Sequence, residues 1–255
     1  MLKGERQREI LKVIENHNQV HVNELAQRFA VSAMTIRRDL EELHQKGMIQ
    51  RIHGGAVTWS DGHKRHEPPV FERASEHQAE KRQIAKKVAG MVKEGEKIFL
   101  GSGTTTLAIA EELANRRNLT VLTNAITIVN CLVPAPGITV IVLGGFLRRM
   151  EMSLIGHFTE SALENLRVDK VIIGIRGIDP VHGLTSDNMQ ELFTDQAILR
   201  ISKTIIVAAD YSKFCHIAAI RTAPITAVTK FVTDQKTSPD VVTAIRRMGI
   251  EVIQA

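Results

Sequence analysis

Two groups of residues in this 255-residue sequence have the types and spacing to engage an anion. The first is Ser32-Ala33-Met34-Thr35-Ile36-Arg37-Arg38, followed downstream by Arg51-Ile52-His53-Gly54-Gly55. An arginine fork bonds a guanine edge or two phosphate oxygens, and a glycine turn lets a backbone approach a phosphate closely. The second is Gly101-Ser102-Gly103-Thr104-Thr105-Thr106, where hydroxyls and the free amides of a helix N-terminus would converge on one point. Such a turn is by itself equally a plain tight turn. Three further segments support a cradle: Thr123-Asn124, Gly144-Gly145 with Arg148 close behind, and Gly183–Asn188, which holds Thr185 and lies just before Glu191.

The elements that must position these residues fall into two patterns. Ile10, Leu11 and Ile14 predict a helix over 3–17, and Val22, Leu25, Ala26 and Phe29 a second over 21–30. Ser32 is placed to cap a third helix running to about Lys46, with Ile36, Leu40 and Leu43 as its buried stripe and Gly47 as its stop. Ala33, Met34, Thr35, Arg37 and Arg38 then lie on or beside the open face, where a recognition helix presents its base-reading side chains. Asp39, Glu41 and Glu42 would keep the far end out of a groove or brace a neighbouring arginine. A short hairpin follows around Gly54-Gly55, so residues 1–58 predict a winged helix-turn-helix domain that binds double-stranded DNA.

Residues 59–78 mix charges, histidines and Pro68-Pro69 with little apolar periodicity. They read as a linker, with Phe71 as its anchor. From 79 to 255 short β-branched runs alternate with helical ones. Strands are expected at 97–101, 119–123, 138–143, 170–175, 204–208, 230–233 and 251–253, and helices at 104–115, 125–133, 158–166, 189–202 and 238–248. That alternation predicts an α/β domain with a mostly parallel sheet covered on both faces, which binds ligands at the carboxyl ends of its strands.

Composition narrows the partners. The net charge of +5 and pI of about 9.3 favour an anionic partner. No stretch reaches the roughly 18 uncharged apolar residues of a membrane span, and the polar N-terminus does not read as a signal peptide. Cys131 and Cys215 fit small buried hydrophobes in a reducing compartment, which points to the cytoplasm. Seven of the ten histidines fall in the first third of the chain without metal-ligand spacing, so neither a metal nor a cofactor is expected.

Val31–Leu40, Gly47 and Arg51–Ala56 together resemble the DeoR family of bacterial sugar-catabolism repressors, with Thr35, Ile36, Arg37, Arg38, Asp39 and Leu40 matching the core of its helix-turn-helix motif. The resemblance covers nearly the whole chain. It implies an oligomeric repressor, dimer or tetramer, released from its operator by an effector. It also implies a second domain similar in fold to ribose-5-phosphate isomerase, with the phosphate of a sugar phosphate or related metabolite near Ser102–Thr106. The family's Asp-x-Ser-Lys-Phe element stands here as Asp210–Phe214, which makes Lys213 a candidate for a phosphate or sugar oxygen. Cys215-His216 and Arg176 depart from the family pattern. Arg176 would reach a second anionic group or pair with Glu191. Two other functions compete. An activator with the same ligand would need no different residues, since the operator's position sets the sign. A sugar-phosphate isomerase could draw on Asp179, Asp187, Glu191 and Lys213, but a DNA-binding module is a strange attachment for an enzyme, so no catalytic residue is assigned.

Overall fold

Hydrophobic spacing in the first fifty residues makes three short helices, and each buries its apolar stripe against the others. The computed structural model describes residues 3–17, 19–45, 48–52, 54–57 and 68–255. The expected stop at Gly47, the wing residue His53, the hairpin's end at Thr58 and the linker stretch 59–67 lie outside the described residues. The chain divides into two units, Met1–Glu67 and Pro68–Ala255.

The first unit holds α1 (Lys3–His17), β1 (Gln19–His21), α2 (Val22–Phe29), α3 (Ala33–Gln45), β2 (Gln50–Ile52) and β3 (Gly55–Val57). Ile10, Ile14, Leu25, Ile36, Leu40, Leu43 and Ile49 form its core and are almost wholly shielded from solvent. The Thr35 amide donates to Ser32 Oγ at 3.2 Å, so Ser32 caps α3 as its type predicts. Sequence periodicity does not reveal β1, a three-residue strand with Val20 as its only apolar residue. Its partner defines it: β3 pairs antiparallel with both β1 and β2. A Cβ on Gly55 would stand 2.0 Å from the Val20 carbonyl oxygen, so the wing packs on β1 only because Gly55 has no side chain.

Asp39 does not face a groove. It is buried and accepts from Arg6 Nε at 2.6 Å and Nη2 at 3.3 Å, which fastens α1 to α3. That hydrogen bond holds the Arg6 guanidinium even more firmly in its charged form.

In the second unit the chain runs α4 (Val70–Arg73), α5 (Gln78–Ala89), β4 (Lys97–Leu100), α6 (Thr104–Leu113), β5 (Leu119–Thr123), α7 (Ile126–Leu132) and β6 (Ile138–Val142). Next come β7 (Phe146–Arg148), β8 (Ser153–Ile155), α8 (His157–Glu164), β9 (Lys170–Ile173), β10 (Gly177–Asp179), β11 (Gly183–Ser186) and α9 (Leu192–Arg200). The unit closes with β12 (Ile205–Ala208), β13 (Ile220–Ala223), β14 (Lys230–Thr233), α10 (Pro239–Arg247) and β15 (Glu251–Gln254). The main sheet has the order β15-β14-β12-β9-β4-β5-β6, and every pairing in it is parallel. Period-two alternation splits its side chains between two cores. Ile98 and Leu100 face α5, α6 and α7 through Ile84, Ile109 and Ile128, while Phe99 faces Leu163 of α8 and Ile198 of α9.

Three differences from the sequence reading bear on the site. Pro68–His77 belongs to the second unit, and its anchor is Val70, at 1% exposure, whereas Phe71 is 66% exposed. A helix, α5, begins at Gln78, and its buried face of Lys81, Ile84, Ala85 and Val88 is diluted by charge in the sequence. Two small antiparallel sheets, β7-β8 and β10-β11-β13, flank the parallel one.

The buried Arg6–Asp39 pair yields a stability prediction. Asp39→Ala leaves a buried guanidinium without its carboxylate and should cost about 3–5 kcal/mol. Urea unfolding of the full chain, followed through the first transition, checks this; a loss below about 1 kcal/mol would mean the pair does not hold α1 on α3.

Candidate functional site

On α3 the buried stripe fixes which residues remain outside. Met34 is 66% exposed, Arg37 and Arg38 are exposed, and neither arginine has an ion-pair partner among the described residues. Thr35 is half-buried, with Oγ1 2.9 Å from Ser32 Oγ. The open face therefore offers two free guanidinium forks, a methionine and a partly engaged hydroxyl pair. Arg51 of β2 is not free in the same way: its Nη1 donates to Glu41 Oε2 at 2.6 Å, so the wing strand is tied to α3. Gly54 takes the left-handed conformation (φ +83°) with open space around it, and is the exposed tip of the turn. Gly55, expected to allow close approach to a phosphate, is buried and serves the packing of β3 on β1 instead.

The second site follows from strand order. The chain leaves β4 toward β5 and β6 on one side, then returns to β9 on the other. Two loops that diverge from neighbouring strand ends leave a crevice, and ligands of open parallel sheets bind there. A cavity lies at this place, lined by Gly101 and Ser102 after β4, Ile173–Ile175 at the end of β9, Asn124 after β5, Glu191 and Asp195 around the start of α9, and Thr222 of β13. Two of its polar atoms, Asn124 Oδ1 and Thr222 Oγ1, are buried without a hydrogen-bond partner. The Asn124 amide is aimed by its other end, since Nδ2 donates to the Leu154 carbonyl at 3.0 Å. Buried polar atoms without a bond are costly and uncommon, so two at one cavity set this place apart.

The expected cradle is adjacent. Gly103 has φ +126° and ψ 165°, a region open to glycine, and caps α6 without any side-chain bond to the helix's first amides. The first amides of α6 therefore receive no bond from the residue that caps it. Not every expected hydroxyl points the same way. Thr106 Oγ1 donates back to the Gly103 carbonyl at 2.9 Å, Thr123 Oγ1 donates to the Leu100 carbonyl at 2.7 Å, and Thr185 Oγ1 accepts from the Ala218 amide at 2.9 Å. These three are buried and hold the scaffold. Gly144 offers its carbonyl to Thr159 Oγ1 and has open space around it, whereas a Cβ on Gly145 would stand 2.2 Å from that same hydroxyl, so Gly145 serves packing.

Charge around the cavity is paired. Arg148 Nη1 donates to Glu191 Oε1 at 3.0 Å, and Ser153 Oγ donates to the same oxygen at 3.2 Å. Arg176 does not pair with Glu191; its Nε donates to Asp187 at 3.2 Å, because Glu191 is already held by Arg148. Lys213 lies outside the cavity lining. Burial pushes its amine down from the ordinary lysine range, with Asp210 pulling the other way. Lys81 on α5 shares that environment: burial lowers it too, and its Nζ donates to the Arg73 carbonyl at 2.7 Å. The sequence reading missed Thr222, Asp195 and the Ile173–Ile175 wall. Thr222 lies on a short side strand that no periodicity announces, and only the fold brings it to the cavity. No metal-holding group of His, Cys, Asp and Glu occurs among the described residues, and no helix there is long and apolar enough to cross a membrane.

Comparison with known proteins bears on both units. Residues 6–61 match the model of the DeoR-like helix-turn-helix domain, and residues 76–235 match that of the DeoR C terminal sensor domain. Transcriptional repressor AccR of Agrobacterium fabrum is 36% identical over 234 residues, which is 91% of this chain and 90% of that one. The glycerol-3-phosphate regulon repressor of Escherichia coli (strain K12) is 34% identical over 234 residues, 92% of each. Among solved structures, ribose 5-phosphate isomerase A from Methanocaldococcus jannaschii aligns with a TM-score of 0.40 and 17% identity over 54% of each chain. With a family model matched in each unit and relatives alike along almost their full length, the chain belongs to the DeoR family of DNA-binding transcriptional regulators.

Proposed function

We propose that this regulator represses a carbohydrate-utilisation operon in the cytoplasm, and that a phosphorylated sugar or related metabolite in the strand-end cavity releases it from double-stranded operator DNA. The observation that carries the effector half is the pair of orphaned atoms, Asn124 Oδ1 and Thr222 Oγ1, beside the uncapped start of α6. One end of the ligand would meet amides suited to a phosphate, the other a carbonyl oxygen and a hydroxyl suited to sugar hydroxyls. The names of relatives support the ligand class, since one is a glycerol-3-phosphate regulon repressor and another, from Staphylococcus epidermidis and 33% identical, a lactose phosphotransferase system repressor. The same names support repression over activation. Arg37 and Arg38, exposed on α3 and without an ion-pair partner among the described residues, support the DNA half. A site read by paired half-sites requires two or four copies held at fixed spacing, so the working form is a homo-oligomer. An effector preferring the DNA-free arrangement then lowers operator affinity by its differential binding energy, typically about 1–3 kcal/mol.

Arg37→Ala and Arg38→Ala should each weaken binding to DNA from the regulator's own upstream region by about 5- to 150-fold, without altering the melting temperature. Fluorescence anisotropy at several salt concentrations checks this, and a phosphate-contacting arginine also flattens the salt slope by roughly one unit. Binding equal to wild type in both variants would remove α3 as the reading helix.

Thr222→Val replaces an unpaired buried hydroxyl by an isosteric methyl. In the free protein it should be neutral or slightly stabilising, within about 1 kcal/mol. In a thermal-shift screen over phosphorylated sugars and polyols, the ligand that raises the wild-type melting temperature should raise the variant's far less. An undiminished shift would place the ligand away from Thr222.

A further inference from the structure

The two edges of the main sheet are finished differently. At one edge β15 carries Glu251, which pairs with Lys230 of β14. The Glu251 amide donates to the Thr229 carbonyl and the Ala255 amide to the Thr233 carbonyl, so by alternation Val252 turns its own amide and carbonyl outward. Arg246 of α10 covers that carbonyl, its Nη2 donating at 2.7 Å. Charge along an edge and a side chain laid over its outward groups are what keep a strand from pairing with another chain.

At the other edge β6 has neither device. No residue from Gly137 to Leu147 is charged. The Leu119 amide donates to the Gly137 carbonyl and the Leu143 amide to the Thr123 carbonyl, so Thr139 and Ile141 between them also face β5. Val140 and Val142 therefore turn both backbone groups, and Ile138 its carbonyl, toward a side where β6 has no strand neighbour. Leu143 packs in the core with Leu163 of α8, whereas Ile138 and Val140 pack on the core that Ile128 of α7 shares. Ile141 and Val142 lie on opposite faces of the sheet, and both are exposed. Exposed apolar surface continues past the strand. Thr159 of α8 holds the Gly144 carbonyl, which sets the end of β6 beside Phe158, and the Phe146 and Phe158 rings lie 6.0 Å apart between centroids. Those two rings are 66% and 67% exposed, and Leu147 is exposed with them.

We infer that this edge is where two copies of the chain meet, their β6 strands running antiparallel about a two-fold axis at Val140. The inference rests on the homo-oligomer reading above and gives it a surface. In that register the Val140 amide of each copy meets the Val140 carbonyl of the other, and each Val142 amide meets an Ile138 carbonyl. The Ile138 amide takes no part, since it already donates to the Ala135 carbonyl. Identical strands related by a two-fold axis use up each other's open edge, so the contact closes on itself and does not grow into a fibre. The area suffices. With about 200 Å² for a phenylalanine, Ile141, Val142, Phe146, Leu147 and Phe158 leave roughly 500 Å² of apolar side chain in water on each copy. A standard interface takes about 800 Å² from each partner, and these side chains supply more than half of it before the strand backbone is counted. A run without charge also offers nothing to an acidic or basic partner, and sets no like charges against each other when it meets itself.

Sedimentation velocity of the full chain over a dilution series tests this. The wild type should sediment as a multiple of the 28.3 kDa chain. Val140→Pro removes only an outward amide, which an edge strand tolerates, and Val142→Lys places a solvated charge at the contact. Each variant should keep the wild-type circular dichroism, show half the wild-type mass, and dissociate at about tenfold or more higher concentration. Wild-type association in both variants overturns the β6 contact and leaves the homo-oligomer reading standing. A wild type that stays a single copy at every concentration sinks both. Hydrogen–deuterium exchange of the associated wild type decides the matter even if neither variant folds. The Val140 and Val142 amides should then exchange about as slowly as the Ile141 amide, which β5 bonds in either form; exchange faster than Ile141 by about tenfold or more overturns the contact.

Discussion

The second unit's capacity to hold a ligand depends on β4 lying inside the parallel sheet, with the chain winding away from it on both sides. A parallel sheet is covered on both faces, so its ligands have only the strand ends to use. Where successive strands are added in one direction, the connecting loops crowd the edge of the sheet. Between β4 and β9 the direction reverses, the loops diverge, and backbone amides, carbonyls and short side chains are left facing a space no other element fills. Gly101 reports how tightly that opening is drawn: a Cβ there would stand 2.9 Å from Ile173 Cγ2 on the neighbouring strand. The crevice is built by strand order, and side chains then decide what enters it.

Those side chains separate by what their polar atoms are already doing. Thr106, Thr123 and Thr185 spend their hydroxyls on backbone groups, and Asn124 spends its amide nitrogen but not its oxygen. A buried hydroxyl already bonded to backbone has little left to offer, since a second strong bond must fit the geometry the first has fixed. An unsatisfied buried oxygen is the opposite case, because it carries a cost of about 1–3 kcal/mol that a ligand can relieve. Asn124 and Thr222 therefore keep bonding capacity at the cavity that Thr106, Thr123 and Thr185 have already used.

Legibility in the sequence followed the range of the interactions. The α3 stripe of Ile36, Leu40 and Leu43 and the cap at Ser32 are local, and both were readable because one helix's periodicity and one hydroxyl's reach suffice. The strands of the main sheet were readable too, as nearly charge-free β-branched runs. What escaped was set by partners distant in sequence. β1 exists because β3 lies beside it, and β13 because β11 does. Thr222 reaches the cavity only through that side sheet. Arg176 pairs with Asp187 and not with Glu191, one of its two expected partners, and nothing local in the sequence shows that Arg148 already holds Glu191. Val70 and Phe71 are adjacent apolar residues whose sequence does not say which one turns inward.

The buried charges between Arg73 and Glu191 form an arrangement that a stability argument alone disfavours. Two arginines and two glutamates balance in charge there, so none of them bears the penalty of a lone buried ion. Apolar residues of the same size would pack at least as well, but they would not supply directed bonds. Arg148 reaches Glu191 in the cavity lining, and Arg73 reaches Glu151, whose neighbour Met150 holds the Val70 amide through its carbonyl. Charge therefore fixes which way Glu191 is turned at the cavity, and packing alone would leave that open.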